Sequence, residues 1–249
     1  MNSKILVIGE SCKDVFYRGE VNRLCPEAPV PVFKVTGITE NGGMAMNVKE
    51  NLKSLGNNVS IITNENWTKI TKSRYVHTHS NHMFLRVDES DEKYGLLDVK
   101  TLNSFGDLEQ YDAIVVSDYH KGFLTEQMLE KISKMHNLVF LDTKKILGSW
   151  SENFSFIKIN NKEYNLTKHK INNAIKEKLI VTHGPLGCIY KNKTFGVPKV
   201  EIKDTSGAGD TFLSGLASMY CYSGDIEKSI IFANECATKV VQKKGVSII

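Results

Sequence analysis

The sequence predicts an α/β fold, a three-layer αβα sandwich with a mainly parallel central sheet and a small β flap standing off it as a lid. Three features of the chain point there. Apolar, β-rich runs recur at KILVIG (4–9), NVSIIT (58–63), AIVVSD (113–118), LVFLDT (138–143), FSFIKIN (154–160) and KLIVTHG (178–184). Uninterrupted runs of that length suit strands buried on both faces, as parallel strands between two helical layers are. Segments of helical period lie between them: NVKENLKSLG (47–56), stopped by Gly56, and TEQMLEKISKMHN (125–137), with Thr125 as its cap. Two stretches break the alternation. PEAPVPVFKV (26–35) places three prolines within six residues, which forbids a helix and favours an extended edge strand. SRYVHTHSNHMFLRVDE (73–89) reads as two strands around the polar tip His79-Ser80-Asn81-His82. Neither suits a crossover helix, so segments of about 15–36 and 73–89 are expected to form an antiparallel flap inserted in a single domain spanning 1–249.

Composition narrows the function classes. At 249 residues, 41% hydrophobic and 24% charged, the chain is long enough for one enzyme-sized core. A net charge of +4 is too weak to argue for nucleic acid, though compatible with small phosphorylated substrates. No apolar stretch reaches the length of a membrane helix, and the opening MNSKILVIGES reads as a strand rather than an export signal, so a cytoplasmic protein with no membrane partner is expected. Five scattered cysteines without CxxC spacing indicate neither a disulfide framework nor a zinc site. His77 and His79 would share a strand face, but no Cys or carboxylate completes a metal site with them, and a polar hairpin tip accounts for them.

In doubly wound sheets ligands bind beyond the carboxyl ends of the strands. Gly9-Glu10, Ser117-Asp118-Tyr119, Asp142-Thr143-Lys144 and Asn160 all fall there. The most informative stretch is KDTSGAGDTFLSG (203–215), a glycine turn that follows strand-like VEIKD (200–204) and opens a helix. Backbone N–H groups at a helix N-terminus attract anions. Neither GxxxxGK[ST] nor a complete GxGxxG is present, since Phe212 stands where the third glycine would be. Beside an anion hole an aspartate repels phosphate unless it takes a proton. Phosphoryl transfer to an alcohol needs both such a base and such donors. GAGD supplies the amides of Ala208, Gly209 and Asp210 together with the Asp210 carboxylate. A simple helix cap is the alternative role for that aspartate.

Asp204-Thr205-Ser206-Gly207-Ala208-Gly209-Asp210 resembles the D-T-x-G-A-G-D hallmark of ribokinase-like, PfkB-type carbohydrate kinases. Asn41-Gly42-Gly43-Met44-Ala45-Met46-Asn47 resembles the Gly-Gly-then-Asn signature of the same family. Asp14 to Val35, with its RLCPEAPVP run, and VVSDYHKG (115–122) are similar to D-glycero-β-D-manno-heptose 7-phosphate kinases, the kinase module of ADP-heptose synthesis proteins. TKSRYV (71–76) and LRVDE (85–89) match them more loosely. The likeness runs from Lys4 to the last residue. It implies an ATP-dependent sugar kinase that phosphorylates a hydroxyl of a sugar phosphate, heptose 7-phosphate at C1, and assembles as a homodimer through the flap. A kinase for another sugar and a degenerate, non-catalytic binder of sugar phosphate or nucleotide stand as alternatives.

Carried over residue by residue, the resemblance implies Asp210 as base and Gly207, Ala208 and Gly209 as the anion hole. Asp14, Gly42, Gly43 and Asn47 would grip sugar hydroxyls, and Arg74, Arg86, Asp118 and Lys121 would serve the remainder of the substrate, the cations reading its phosphate. Asn160 and Glu163 form the NxxE pair that arranges Mg2+ and its waters around ATP. Thr182, Gly184, Gly187 and Asn234 would line the nucleotide side. Asp204 and Ser247 resemble parts of a monovalent-cation site, for K+. The chain departs from the pattern in being short: only ENWTKI (65–70) and LTKHKINNAIKE (166–177) stand where longer segments are usual, implying a narrower sheet and a less enclosed nucleotide. Met44, Met46 and Cys25 replace smaller or polar residues, and the nucleotidyl-transferring module that often follows is expected to be supplied by a second enzyme.

Overall fold

A computed structural model describes residues 1–80 and 82–249. In chain order the strands are β1 (Lys4–Gly9), β2 (Ser11–Leu24), β3 (Pro31–Met44), β4 (Asn58–Ile62), β5 (Thr71–His77), β6 (Met83–Glu89), β7 (Ala113–Asp118), β8 (Val139–Thr143), β9 (Phe156–Asn160), β10 (Leu179–Thr182), β11 (Cys188–Tyr190) and β12 (Lys193–Phe195). The helices are α1 (Ala45–Ser54), α2 (Val99–Asn103), α3 (Glu126–Ser133), α4 (Asn161–Thr167), α5 (Asn173–Lys176), α6 (Ala208–Ser223) and α7 (Ile226–Val241).

Eight strands form the main sheet in the order β12-β11-β10-β9-β8-β7-β1-β4. Every pairing from β10 to β4 is parallel, and β11 and β12 return antiparallel. The alternation of side chains along a strand sorts the core into two layers. Ile5 and Val7 of β1 face α1, α6 and α7 through Val48, Leu52, Leu213, Leu216 and Ile230. Leu6 and Ile8 face the other way, onto Leu102, Leu129, Ile132 and Ile175 of α2, α3 and α5. The helices begin where the sequence supplies caps. The Thr125 side chain accepts from Met128 N–H, and Asn160 opens α4 with Glu163 as a reciprocal capping box.

A second sheet of four strands, in the order β3-β2-β5-β6, stands on the sandwich. β2 pairs antiparallel with β3 and parallel with β5, and β5 pairs antiparallel with β6. Its strands extend beyond the prolines, so that Gly42 and Gly43 close β3 immediately before α1. At the β5–β6 tip, His77 Nδ1 accepts from the His79 and Ser80 amides, an exposed polar turn. Asn81 of that tip lies outside the described residues.

Three expectations are corrected. The flap is not wholly antiparallel, because β2 and β5, joined through β3 and α1 rather than by a hairpin, pair parallel. VEIKD is no strand: the Lys203 and Asp204 amides donate to Val241 O at the end of α7 instead of to a sheet neighbour. KLIVTHG ends as a strand at Thr182, because Gly184 turns the chain at φ 57°.

Candidate active site

Asp210 occupies the first turn of α6, which begins at the carboxyl end of the main sheet. Gly207 makes this turn at φ 79°, and a Cβ there would stand 2.8 Å from Asn47 Nδ2, so only glycine fits on both counts. The Asp210 side chain is almost fully buried, yet it lines a cavity of about 740 Å³. Its Oδ2 accepts from Asn47 Nδ2 at 2.9 Å and its Oδ1 from the Tyr119 hydroxyl at 2.7 Å. Burial pushes its pKa up to about 6, against the two donated hydrogen bonds, which pull it down. A carboxyl poised there suits proton exchange near neutral pH.

Below the helix start lies a lysine that the sequence pattern shows only as part of a strand. Lys158, in β9, pairs with Asp142 of β8 at 2.7 Å, both buried. Burial pulls the ammonium down, but the carboxylate at Asp142 outweighs it and holds Lys158 above its ordinary range. Its Nζ lies 2.9 Å from where a Cβ on Gly209 would be, which brings a fixed cation against the first turn of α6. Of the three amides expected to hold an anion, that of Ala208 is spent on Thr205 O at 3.2 Å. A turn this tight closes on its own carbonyl, which leaves the Gly209 and Asp210 amides to lead.

The nucleotide-side residues converge on the same cavity: Asn160, Glu163, Thr182, Gly184, Gly187 and Asn234 all line it. Asn160 Nδ2 donates to Glu163 Oε1 at 2.9 Å, and Glu163 N–H to Asn160 Oδ1 at 2.9 Å, so the NxxE pair is first a helix cap and holds its carboxylate rigid. Gly187, at φ 86°, leaves no room for a Cβ, which would lie 2.0 Å from Phe195 O. Asn234 is fixed by donating to that same carbonyl at 3.0 Å.

On the other side of Asp210 the second sheet brings up charged groups. Arg74 Nη1 donates to Asp14 Oδ1 at 2.7 Å, and Gly43 lies against the other Asp14 oxygen. Arg86 is opposite Arg74 across the β5–β6 ladder and pairs with Asp88 of its own strand at 2.7 Å. Lys121 and Lys72 both grip Asp91, Lys72 at 2.6 Å. Burial opposes the charge on Asp91, but bonds from Lys121, Lys72 and Tyr94 hold its carboxyl at about 2. Every cation expected to read a substrate phosphate therefore has a carboxylate partner here. Asp118 is a correction: it is 1% exposed, its carboxylate taken by Lys145 at 2.9 Å and Thr143 at 2.5 Å. It braces the loop after β7, where its Oδ1 also accepts from His120 N–H at 3.1 Å. Asp204 and Ser247 meet at Gly245, whose N–H donates to Asp204 Oδ2 and whose carbonyl accepts from Ser247.

Asp142, Lys158, Lys72, Asp91 and Glu10 went unassigned in the sequence. For Glu10, Asp142 and Lys158 the one local signal is a charge set inside or just beyond a strand that is buried on both faces; Lys72 and Asp91 carry none.

This construction, a doubly wound sandwich with a second sheet beside a buried carboxylate at a helix start, is the ribokinase fold. The nucleoside kinase of Methanocaldococcus jannaschii, described as an archaeal member of the ribokinase family, superimposes with a TM-score of 0.69 at 18% identity over 98% of this chain and 93% of that one. Ribokinase from Thermotoga maritima gives 0.70 at 16% identity over 98% and 94%. At such identities the likeness carries the fold alone. Residues 65–249 match the pfkB family carbohydrate kinase pattern, and the chain belongs to that family. Its members are phosphotransferases with an alcohol acceptor. Curated relatives include bifunctional protein HldE of a Nitratiruptor species, 28% identical over 98% of this chain and 63% of its own length. HldE of Helicobacter pylori is 29% identical over 97% and 63%. The chain thus spans less than two thirds of the relatives it matches.

Proposed function

We propose that the protein moves the γ-phosphoryl group of ATP to a hydroxyl of a phosphorylated sugar, with heptose 7-phosphate at C1 as acceptor. The observation that carries this is the Asp210 carboxyl, buried with a pKa of about 6 on the wall of a 740 Å³ cavity and beside the first turn of α6. A cavity of that size suits a nucleotide. Asp210 takes the proton as the sugar oxygen bonds to phosphorus. The bond from the γ-phosphorus to the bridging oxygen breaks, and ADP leaves with its electron pair. The Gly209 and Asp210 amides, with Lys158 behind them, meet the charge carried by the transferred group.

Asn160 and Glu163 offer hard oxygen donors and fit Mg2+. Among the described residues there is no cluster of three or more His, Cys, Asp or Glu that could hold a metal, so these two would hold the ion through its waters. Bound there, the ion would neutralise phosphate oxygens. Asp204 and Ser247, meeting at Gly245, are the residues that would hold K+.

The resemblance of Asp14 to Val35 and of 115–122 to heptose 7-phosphate kinases favours that acceptor, and Arg74 on Asp14, Arg86 opposite it, and Lys72 and Lys121 on Asp91 supply the chemistry that recognises a sugar carrying a phosphate. ADP release across a panel of sugars and sugar phosphates tests this, and turnover confined to neutral sugars would overturn it. Arg86→Ala sharpens the test. Its pair with Asp88 is partly exposed, so the fold should lose no more than about 0.5 kcal/mol, while KM for the sugar phosphate rises about tenfold or more and that for ATP stays put.

The second sheet exposes Val35, Ile38, Met83 and Leu85 on its edge strands β3 and β6, and we read it as both lid and dimer face. The protein should run as a dimer by light scattering at micromolar concentration and Leu85→Lys as a folded monomer. A monomeric wild type would refute the dimer.

A further inference from the structure

Tyr119 is tied at both ends, its hydroxyl to Asp210 and its backbone N–H to Glu10. It follows β7 in a loop built on a buried carboxylate. Glu10, fully buried at the end of β1, accepts from Tyr119 N–H at 2.8 Å through Oε2 and from Lys121 N–H at 3.0 Å through Oε1. Between them His120 adopts φ 56°, and its amide donates to Asp118 Oδ1 at 3.1 Å. Asp118 is itself locked by Lys145 and Thr143. Four polar groups thus fix a backbone whose one projecting side chain lines the cavity and ends on the carboxylate at Asp210. The Lys144 ammonium lies 4.0 Å from the ring centroid and holds the ring from its other side.

We propose that Tyr119 is a positioning residue for the base: its hydroxyl holds Asp210 Oδ1 as an acceptor and leaves Oδ2, on the Asn47 side, to meet the sugar alcohol. This rests on Asp210 acting as the base. The two carboxylate oxygens are unlike in their surroundings. Oδ2 points to Asn47, at the start of α1 where the second sheet joins the sandwich, and so toward the groups around Asp14. Oδ1 points into the loop. A phenol that donates and does not ionise suits this duty, since burial first and Asp210 next raise Tyr119 far above its ordinary range. The donated bond also stabilises the ionised form of Asp210 and holds its pKa below the value that burial alone would give. The other charges facing Asp210 come from Asp142 in β8, which raises it, and Lys158 in β9, which lowers it. Asp14, from the second sheet, acts on Tyr119.

The test is the pH dependence of kcat/KM for Tyr119→Phe, with Asp210→Asn beside it. Phenylalanine keeps the ring and its contact with Lys144 and removes only the donor. Loss of one bond to a charged acceptor should move the acidic limb up by about one pH unit. From a pKa of about 6 this gives an activity about fivefold lower at pH 6 that rejoins wild type above about pH 8.5, with KM for ATP unchanged. Site-specific 3-fluorotyrosine at 119, a stronger donor of the same shape, should move the limb the other way, which keeps the inference testable if Tyr119→Phe does not fold. A limb that stays in place in either protein, or a loss equal at all pH values, overturns the role. If Asp210→Asn itself turns over normally, the base assignment fails and this inference with it; if Asp210→Asn is dead and the limb does not move, the inference alone fails.

Discussion

Asp210→Asn should lower kcat by about 10²- to 10⁴-fold, the range supplied by a positioned general base, while ATP still binds. Asparagine keeps the shape and can still meet Asn47 and Tyr119, so a loss of that size reports the proton acceptor. The same change should stabilise the fold at neutral pH. Asp210 is held at about 6 in the folded chain against an ordinary 3.8, so the native state binds its proton more tightly than the unfolded one. Stability from this group is therefore fully present below about pH 3.8 and lost as pH rises through about 6. At pH 8 the ionised carboxylate costs about 3 kcal/mol, part of which the amide recovers. Urea unfolding at pH 8 should show Asp210→Asn more stable than wild type, with the gap closing toward pH 4. Full turnover in Asp210→Asn would remove the kinase mechanism proposed above.

This opposition of stability and chemistry bears on what the sequence discloses. The main strands were legible because parallel strands buried on both faces carry continuous apolar runs, as at 5–8 in β1, 113–116 in β7 and 139–141 in β8. Asp210 was legible because a glycine turn entering a helix is a local pattern, read within seven residues. Lys158 was not, because its partner Asp142 sits sixteen residues earlier on a neighbouring strand, and a pairing set by sheet order leaves no local trace. The available signal was a lysine inside FSFIKIN, a run otherwise fit for burial, since a charge there needs a partner. Lys72 and Asp91 failed to show for the same reason, and so did the grip of Lys121 on Asp91: β5, the segment after β6 and the loop after β7 meet only in space. Asp118 misled in the opposite sense. It stands at a strand's carboxyl end, where ligands bind, but Lys145 beyond the next strand draws its side chain inward. VEIKD has strand-like residues, yet the Lys203 and Asp204 amides donate to Val241 O at the end of α7, a partner far along the chain that leaves no local trace.

Lys158→Met should both destabilise the protein and silence it, and the two effects can be separated. The lysine and Asp142 are each at least nine-tenths buried at 2.7 Å, so removing one leaves an unpaired charge in the interior, at a cost of about 3–5 kcal/mol. Against a total stability of about 5–15 kcal/mol that could unfold much of the protein, and lost activity alone would then say nothing about phosphate. Combining Lys158→Met with Asp142→Leu removes both charges. A well-packed apolar pair in place of a buried ion pair is close to neutral for stability, so the double variant should return to within about 1 kcal/mol of wild type in urea. Catalysis should not return with it. Lys158 abuts Gly209 in the first turn of α6, where the γ-phosphoryl group is proposed to sit, and its charge acts there in a dry cavity. The folded double variant should therefore remain about 10²- to 10³-fold slower and bind ATP more weakly. Recovery of both stability and turnover would make the pair a structural tie only, and the cation at the helix start would have to come from another residue.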